Sequence, residues 1–310
     1  MCKFTFASLA LWLMGLAPVA NSGEMPADLR EAVRAIGPVI SPAATAKLYA
    51  PLHQPEPYRG VQVFRDEKYG DEERQRIDVF SPNGAGALKP VLIFVHGGGY
   101  TGGDKRVSKD SPFYDNVALW AANNGLVGVN MTYRLAPGYK WPSAMQDVAA
   151  AVAWARANAG RFGGSANQII LLGHSAGATH VAAYIASVDL PKAGILAAIL
   201  TSGTYRLKPE IEVPGQKAYF GDDTNLWHSR SSLEGLVASN IPLFVAHGEV
   251  DGTYYIGQSE ELTAALCAAR RCPAHIVVGG HGHMSEVYSI NTADTSLAQP
   301  LLEFIQNASR

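Results

Sequence analysis

The sequence predicts an α/β fold: a mostly parallel, eight-stranded sheet with helices on both faces. Three observations carry it. From Val61 onward, short β-rich runs alternate with helical stretches, the pattern of βαβ crossovers. Val91–Val95 and Ile241–Val245 are apolar throughout, as strands buried on both faces of a parallel sheet must be. Gln168–Leu172, another apolar run, leads into Gly173-His174-Ser175-Ala176-Gly177 and then an alanine-rich stretch. That is a strand ending in a sharp turn that opens a helix.

The expected strands are Val61–Arg65, Arg76–Phe80, Val91–Val95, Val127–Tyr133, Gln168–Leu172, Leu196–Leu200, Leu243–His247 and His275–Val278. The first two flank a charged loop, Asp71–Arg74, and read as an antiparallel start. The expected helices are Phe113–Asn123, Pro142–Ala159, Ser175–Ser187, Gly257–Arg270 and Ser296–Asn307, with one more over Pro26–Ala35 in an N-terminal covering segment. Residues Tyr205–Asn240 break the rhythm and carry Pro209, Pro214, Tyr219, Phe220 and Trp227, which predicts a small lid-like insertion. Residues 23–310 are read as a single domain.

The 310 residues are 47% apolar and 17% charged, with a net charge of -2. This is a globular composition, and no basic stripe points to nucleic acid. Met1-Cys2-Lys3 followed by apolar Phe4–Leu16, Pro18 and small residues reads as a signal peptide over residues 1–22, so a periplasmic or secreted address is expected. The apolar run is shorter than the roughly 20 residues a membrane span needs, and no stable membrane insertion is expected. Without Cys2, Cys267 and Cys272 remain, an even pair suited to a local disulfide after export. Neither pairs with a histidine at metal-ligand spacing, and no metal or organic cofactor is expected.

The turn at residues 173–177 offers Ser175 as a nucleophile, its hydroxyl exposed above the carboxyl end of the sheet. A serine needs a base, and the base an orienting acid. Asp251 follows the strand Leu243–His247, with Glu249 a rival two residues away. The last strand ends in Gly279-Gly280-His281-Gly282-His283, so two histidines compete as base. Val91–Val95 ends in His96-Gly97-Gly98-Gly99-Tyr100, whose glycines leave backbone N–H groups unshielded, as an oxyanion requires. The N–H of Ala176 adds a further donor. His96 is expected to brace that loop by hydrogen bonding, and His174 and His247 to stand behind the reacting groups. Tyr100, Trp227, Tyr254 and Tyr255 are candidates to line the substrate pocket.

Together these motifs resemble the α/β-hydrolases of the hormone-sensitive-lipase-like group, close to bacterial carboxylesterases and feruloyl-esterase-like hydrolases. The resemblance spans about Val61 to Ile305. It rests on His96–Tyr100, Tyr133-Arg134-Leu135-Ala136-Pro137, Trp141-Pro142 with Gln146-Asp147-Val148, Gly173–Gly177, Gly248-x-x-Asp251 and the terminal Gly-His-x-His283-Met-Ser. It implies Ser175 as nucleophile, Asp251 as acid, His283 as base, and Gly98, Gly99 and Ala176 as oxyanion donors. It also implies an ion pair between Arg134 and Asp147. Asp251 is followed by Gly252-Thr253, whereas many members carry Asp-Pro-Leu there. The activity implied is hydrolysis of small-molecule carboxylic esters, short-chain acyl or aryl. The alternatives are an amidase, arylformamidase-like or peptidase-like hydrolase of the same fold, and a non-catalytic binding module. Oligomeric state is not readable from these residues.

Overall fold

The computed structural model describes residues 23–84 and 86–309. The stretch read as a signal peptide, residues 1–22, lies outside the described residues.

Eight strands form one sheet: β1 (Val61–Lys68), β2 (Arg76–Pro82), β3 (Lys89–Val95), β4 (Val127–Met131), β5 (Gly164–His174), β6 (Ile195–Thr201), β7 (Leu243–Gly248) and β8 (Ala274–Val278). Their order across the sheet is β1-β2-β4-β3-β5-β6-β7-β8. The β1–β2 and β2–β4 pairs are antiparallel, and every later pair is parallel. The expected fold class is thus borne out, antiparallel start included.

Period-two alternation divides the strand side chains between two cores. Val91, Ile93 and Val95 of β3, with Ile169 and Leu171 of β5, face a core shared with the helices α4 (Ser143–Asn158), α5 (Ala176–Ala186) and α9 (Thr253–Ala268). Leu92, Phe94, Ile170, Leu172 and Phe244 face the opposite core, under α3 (Asp115–Asn123) and α11 (Ala298–Ala308). Helices on both faces explain why these strands are apolar throughout.

The N-terminal segment holds α1 (Ala27–Ile36), as expected, and a second helix, α2 (Pro42–Tyr49). The alanine- and proline-rich composition of this stretch suggests a covering loop instead. Pro42 at the first helical position, with its φ already helical, favours the start. Between β6 and β7 lie three short helices, α6 (Gln216–Phe220), α7 (Trp227–Arg230) and α8 (Leu233–Ala238). The remaining helix, α10 (Ser285–Tyr288), follows β8. α9 begins four residues before the expected Gly257 because packing of Leu262 and Leu266 outweighs the weak helix propensity of a single glycine. A disulfide joins Cys267, in the last turn of α9, to Cys272 in the loop that follows.

Arg134 and Asp147 pair, with guanidinium-to-carboxylate distances of 2.8 and 2.9 Å. Asp147 is fully buried and also accepts from the Arg134 N–H at 2.8 Å and from Gln75 at 2.8 Å. These bonds satisfy the carboxylate away from water and fix the strand that leads to Tyr133. Among the described residues, no helix is long and apolar enough to cross a membrane.

Candidate active site

The chemistry-bearing residues gather at the carboxyl ends of the parallel strands. Ser175 links β5 to α5 with φ +56° and ψ −124°, a conformation rare for a residue with a side chain. The turn is possible because its neighbours are small. A Cβ on Gly177 would lie 2.0 Å from the carbonyl oxygen of Val95, so only glycine lets α5 approach β3 so closely.

Three side chains from three loops meet there. Ser175 Oγ lies 2.8 Å from His283 Nε2. His283 Nδ1 lies 3.0 and 3.1 Å from the two carboxylate oxygens of Asp251. Since the carboxylate can only accept, Nδ1 carries the proton and Nε2 is left to accept from the serine hydroxyl. His283 and Asp251 are buried, and Ser175 is 8% exposed. Burial raises the Asp251 carboxyl, but the His283 ring, the Ser202 hydroxyl and the Gly252 N–H outweigh it and hold it below the usual carboxylate value.

The two rival residues lie apart from this line of side chains. Glu249 is exposed, and its carboxylate accepts the N–H of Gly280 at 2.6 Å, away from His283. His281 is fully buried elsewhere: its Nδ1 is 3.2 Å from Ser285 Oγ and its Nε2 3.1 Å from Asp294 Oδ2.

The glycine loop lies directly on the nucleophile, for an atom at the Cβ position of Gly97 would be 2.9 Å from Ser175 Cβ. Among the described residues, the N–H groups of Gly98, Gly99 and Ala176 donate no hydrogen bond. His96 is buried behind the loop, with Nδ1 2.6 Å from the carbonyl of Gly97, and burial lowers its pKa to about 4. It is therefore a neutral donor that braces the loop. Tyr133 donates to the His96 carbonyl at 2.8 Å and stacks on its ring.

His174 does stand behind the reacting groups. Its Nε2 lies 2.7 Å from the carbonyl of His283, and burial, followed by the His283 charge, lowers its pKa to about 3. It is a neutral donor that fixes the backbone of His283. His247 does not reach this group; its ring faces His275 near the sheet edge. Tyr255 packs its ring 4.4 Å from that of His283. Trp227 is buried against Phe220, bonded to the Gly221 carbonyl, and lies within the β6–β7 segment's own packing.

Two residues escaped the sequence reading. Ser202, directly after β6, has φ +49° and donates to Asp251 Oδ2 at 2.6 Å. Its place at the carboxyl end of a central strand was the available signal. Glu286 is fully buried with both carboxyl oxygens unpartnered, 3.6 Å from His174. Burial and the nearby Asp251 charge push it well above the usual carboxylate value, so it is held as the neutral acid. A lone acid in the otherwise uncharged turn Met284–Tyr288 was its only mark in the sequence.

Residues 77–192 match the BD-FAE family model. The chain is 28% identical over 239 residues to Esterase LipC of Mycobacterium tuberculosis, covering 69% of this chain and 58% of LipC. It is 30% identical over 238 residues to Esterase LipQ of the same organism, covering 69% and 55%. The chain thus matches little more than half the length of these relatives. Among solved structures, Esterase B from Lactobacillus rhamnosis superposes with a TM-score of 0.72 at 17% identity, covering 86% of this chain and 91% of that one, a likeness of fold. The sheet order, the serine turn after β5 and the structural likeness give the chain the α/β-hydrolase fold, and its residues 77–192 match the BD-FAE family model.

Proposed function

We propose that this protein hydrolyses small-molecule carboxylic esters through an acyl-enzyme formed on Ser175. The single observation that carries the reading is the unbroken line Ser175 Oγ–His283 Nε2 at 2.8 Å and His283 Nδ1–Asp251 at 3.0 Å, beside a loop of unspent N–H groups. Ser175 attacks the ester carbonyl while His283 takes its proton. Asp251 holds the ring in the required tautomer and stabilises its cation. Gly98, Gly99 and Ala176 donate to the carbonyl oxygen as it becomes negative. His283 then protonates the leaving alcohol, and water attacks the acyl-enzyme with His283 again as base. The named esterases among its relatives support the ester class.

Hydrolysis of p-nitrophenyl acetate, butyrate and decanoate tests the proposal. We expect turnover that falls with acyl length, and a loss of about 10⁴- to 10⁶-fold in kcat for Ser175→Ala. A folded wild-type protein that turns over none of these esters but cleaves formamide or peptide substrates would overturn it.

We further propose that the protein works outside the cytoplasm. The basic start and apolar Phe4–Leu16 support export, as does a disulfide between Cys267 and Cys272. N-terminal sequencing of the mature protein is expected to begin between Asn21 and Glu24; an intact Met1 on protein retained in the cytoplasm would refute it.

A further inference from the structure

The β6–β7 segment brings a polar wall to the site. Gln216, the first residue of α6, is fully buried. Its Nε2 lies 3.1 Å from the Tyr254 hydroxyl and 3.4 Å from Thr204 Oγ1. The Thr204 N–H donates to Thr179 Oγ1 at 3.0 Å, and the Tyr100 hydroxyl is 3.4 Å from the same oxygen. Thr179 stands one helical turn after Ser175, with its hydroxyl 3.4 Å from the Ser175 carbonyl. Hydroxyl and amide groups from the glycine loop, α5, the β6–β7 segment and the first turn of α9 therefore converge beside the nucleophile.

The wall is fixed to the loop that would hold the ester carbonyl. A Cβ on Gly215 would lie 1.8 Å from the carbonyl oxygen of Gly99, so the backbone just before Gln216 is seated on that loop. One group in the wall is unspent: Gln216 Oε1 is buried without a hydrogen-bond partner. Buried amide oxygens are nearly always paired, so this acceptor calls for a donor. An alkyl chain laid against it would leave the oxygen desolvated and unpaired, whereas a hydroxyl would donate to it.

The leaving alcohol must lie at His283 Nε2, which protonates it, and Tyr255 borders that side at 4.4 Å. The Gln216 wall adjoins Gly99 and the turn of α5 after Ser175; with the alcohol placed at His283, this wall is left to the acyl group. Resting on the esterase reading above, we propose that Gln216 and Tyr254 form the end wall of the acyl pocket and select short acyl groups that carry a hydroxyl over alkyl groups of the same size.

The test pairs ethyl 3-hydroxybutanoate with ethyl 3-methylbutanoate, isosteres that differ by hydroxyl for methyl. The readout is the ratio of their kcat/KM values in one preparation, which is independent of how much enzyme is folded. In the wild type we expect the hydroxy ester to be favoured roughly tenfold or more, since a site built to bond a hydroxyl rejects the analogue lacking it. We expect the ratio to fall to near one in Gln216→Met and to drop in Tyr254→Phe. A wild-type ratio at or below one overturns the inference, as does a preference that survives both substitutions. Wild-type p-nitrophenyl acetate hydrolysis separates the two failures: its presence with a flat ratio refutes the acyl wall alone, and its absence removes the esterase reading beneath it.

Discussion

His283→Ala is expected to lower kcat for p-nitrophenyl acetate by about 10⁴- to 10⁶-fold, while His281→Ala retains turnover in its folded fraction. The two histidines are two residues apart, both buried, and each has a carboxylate within hydrogen-bond reach. They differ in what stands on the other side of the ring. His283 offers Nε2 to Ser175, a hydroxyl at a strained turn. His281 offers Nδ1 to Ser285, whose hydroxyl also accepts the Gly282 N–H at 2.9 Å and lies wholly in the interior. The second constellation lies apart from the strained turn at Ser175 and ties the loop carrying His283 to Asp294. Removing His281 takes its ring from the buried Asp294, whose other oxygen still accepts from Ser296, and opens a cavity, a cost of about 2–5 kcal/mol. The measurement is kcat per folded molecule alongside a denaturation curve for each variant. A folded His281→Ala protein as inactive as His283→Ala would reverse the assignment.

Stability is expected to fall by at least about 2.7 kcal/mol per pH unit between roughly pH 6 and 4.5. Burial lowers His96 to about 4, His174 to about 3 and His180 to about 3. Each folded value lies below the unfolded value near 6.5, so the stability these rings contribute is present above that pH and lost as pH falls. Glu286 acts in the opposite sense. Its folded value is raised, so in this window the native state keeps a proton that the unfolded chain releases, and its contribution declines as pH rises. These three rings favour the unfolded chain and Glu286 the native state, a net of two protons at about 1.4 kcal/mol each per pH unit, to which His53, His247 and His275, lowered by burial in the same sense, add. Urea midpoints by circular dichroism at pH 7, 6 and 5 measure the slope. Glu286→Gln removes the opposing proton and should steepen it by about 1.4 kcal/mol per unit. A flat profile from pH 7 to 5 would show that the three rings are not held neutral.

Much of this was legible in the chain because the governing signals are local. A strand buried on both faces must be apolar at every position, and Val91–Val95 and Ile169–Leu172 are. A strand that turns into a helix around a serine needs small neighbours, and the close approach of Gly177 to Val95 gives the reason. All eight strands stand where periodicity placed them, with ends shifted by a few residues. The α2 helix was missed because Pro42 and the alanines after it signal loop and helix alike.

The sequence by itself determined the layered α/β architecture, the strand-turn-helix around Ser175 and the short set of acids and histidines at strand ends. Only the tertiary structure decided which members of that set meet. His281 and His283 are equivalent in composition and nearly so in position; the turn after β8 sends one ring to Ser175 and the other to Asp294. Ser202, Glu286 and Gln216 carry no motif, because their importance lies in contacts across 49, 112 and 38 residues of chain, to Asp251, His174 and Tyr254. Hydrogen bonds and desolvation act over a few ångströms in space, and sequence patterns report only neighbours along the chain.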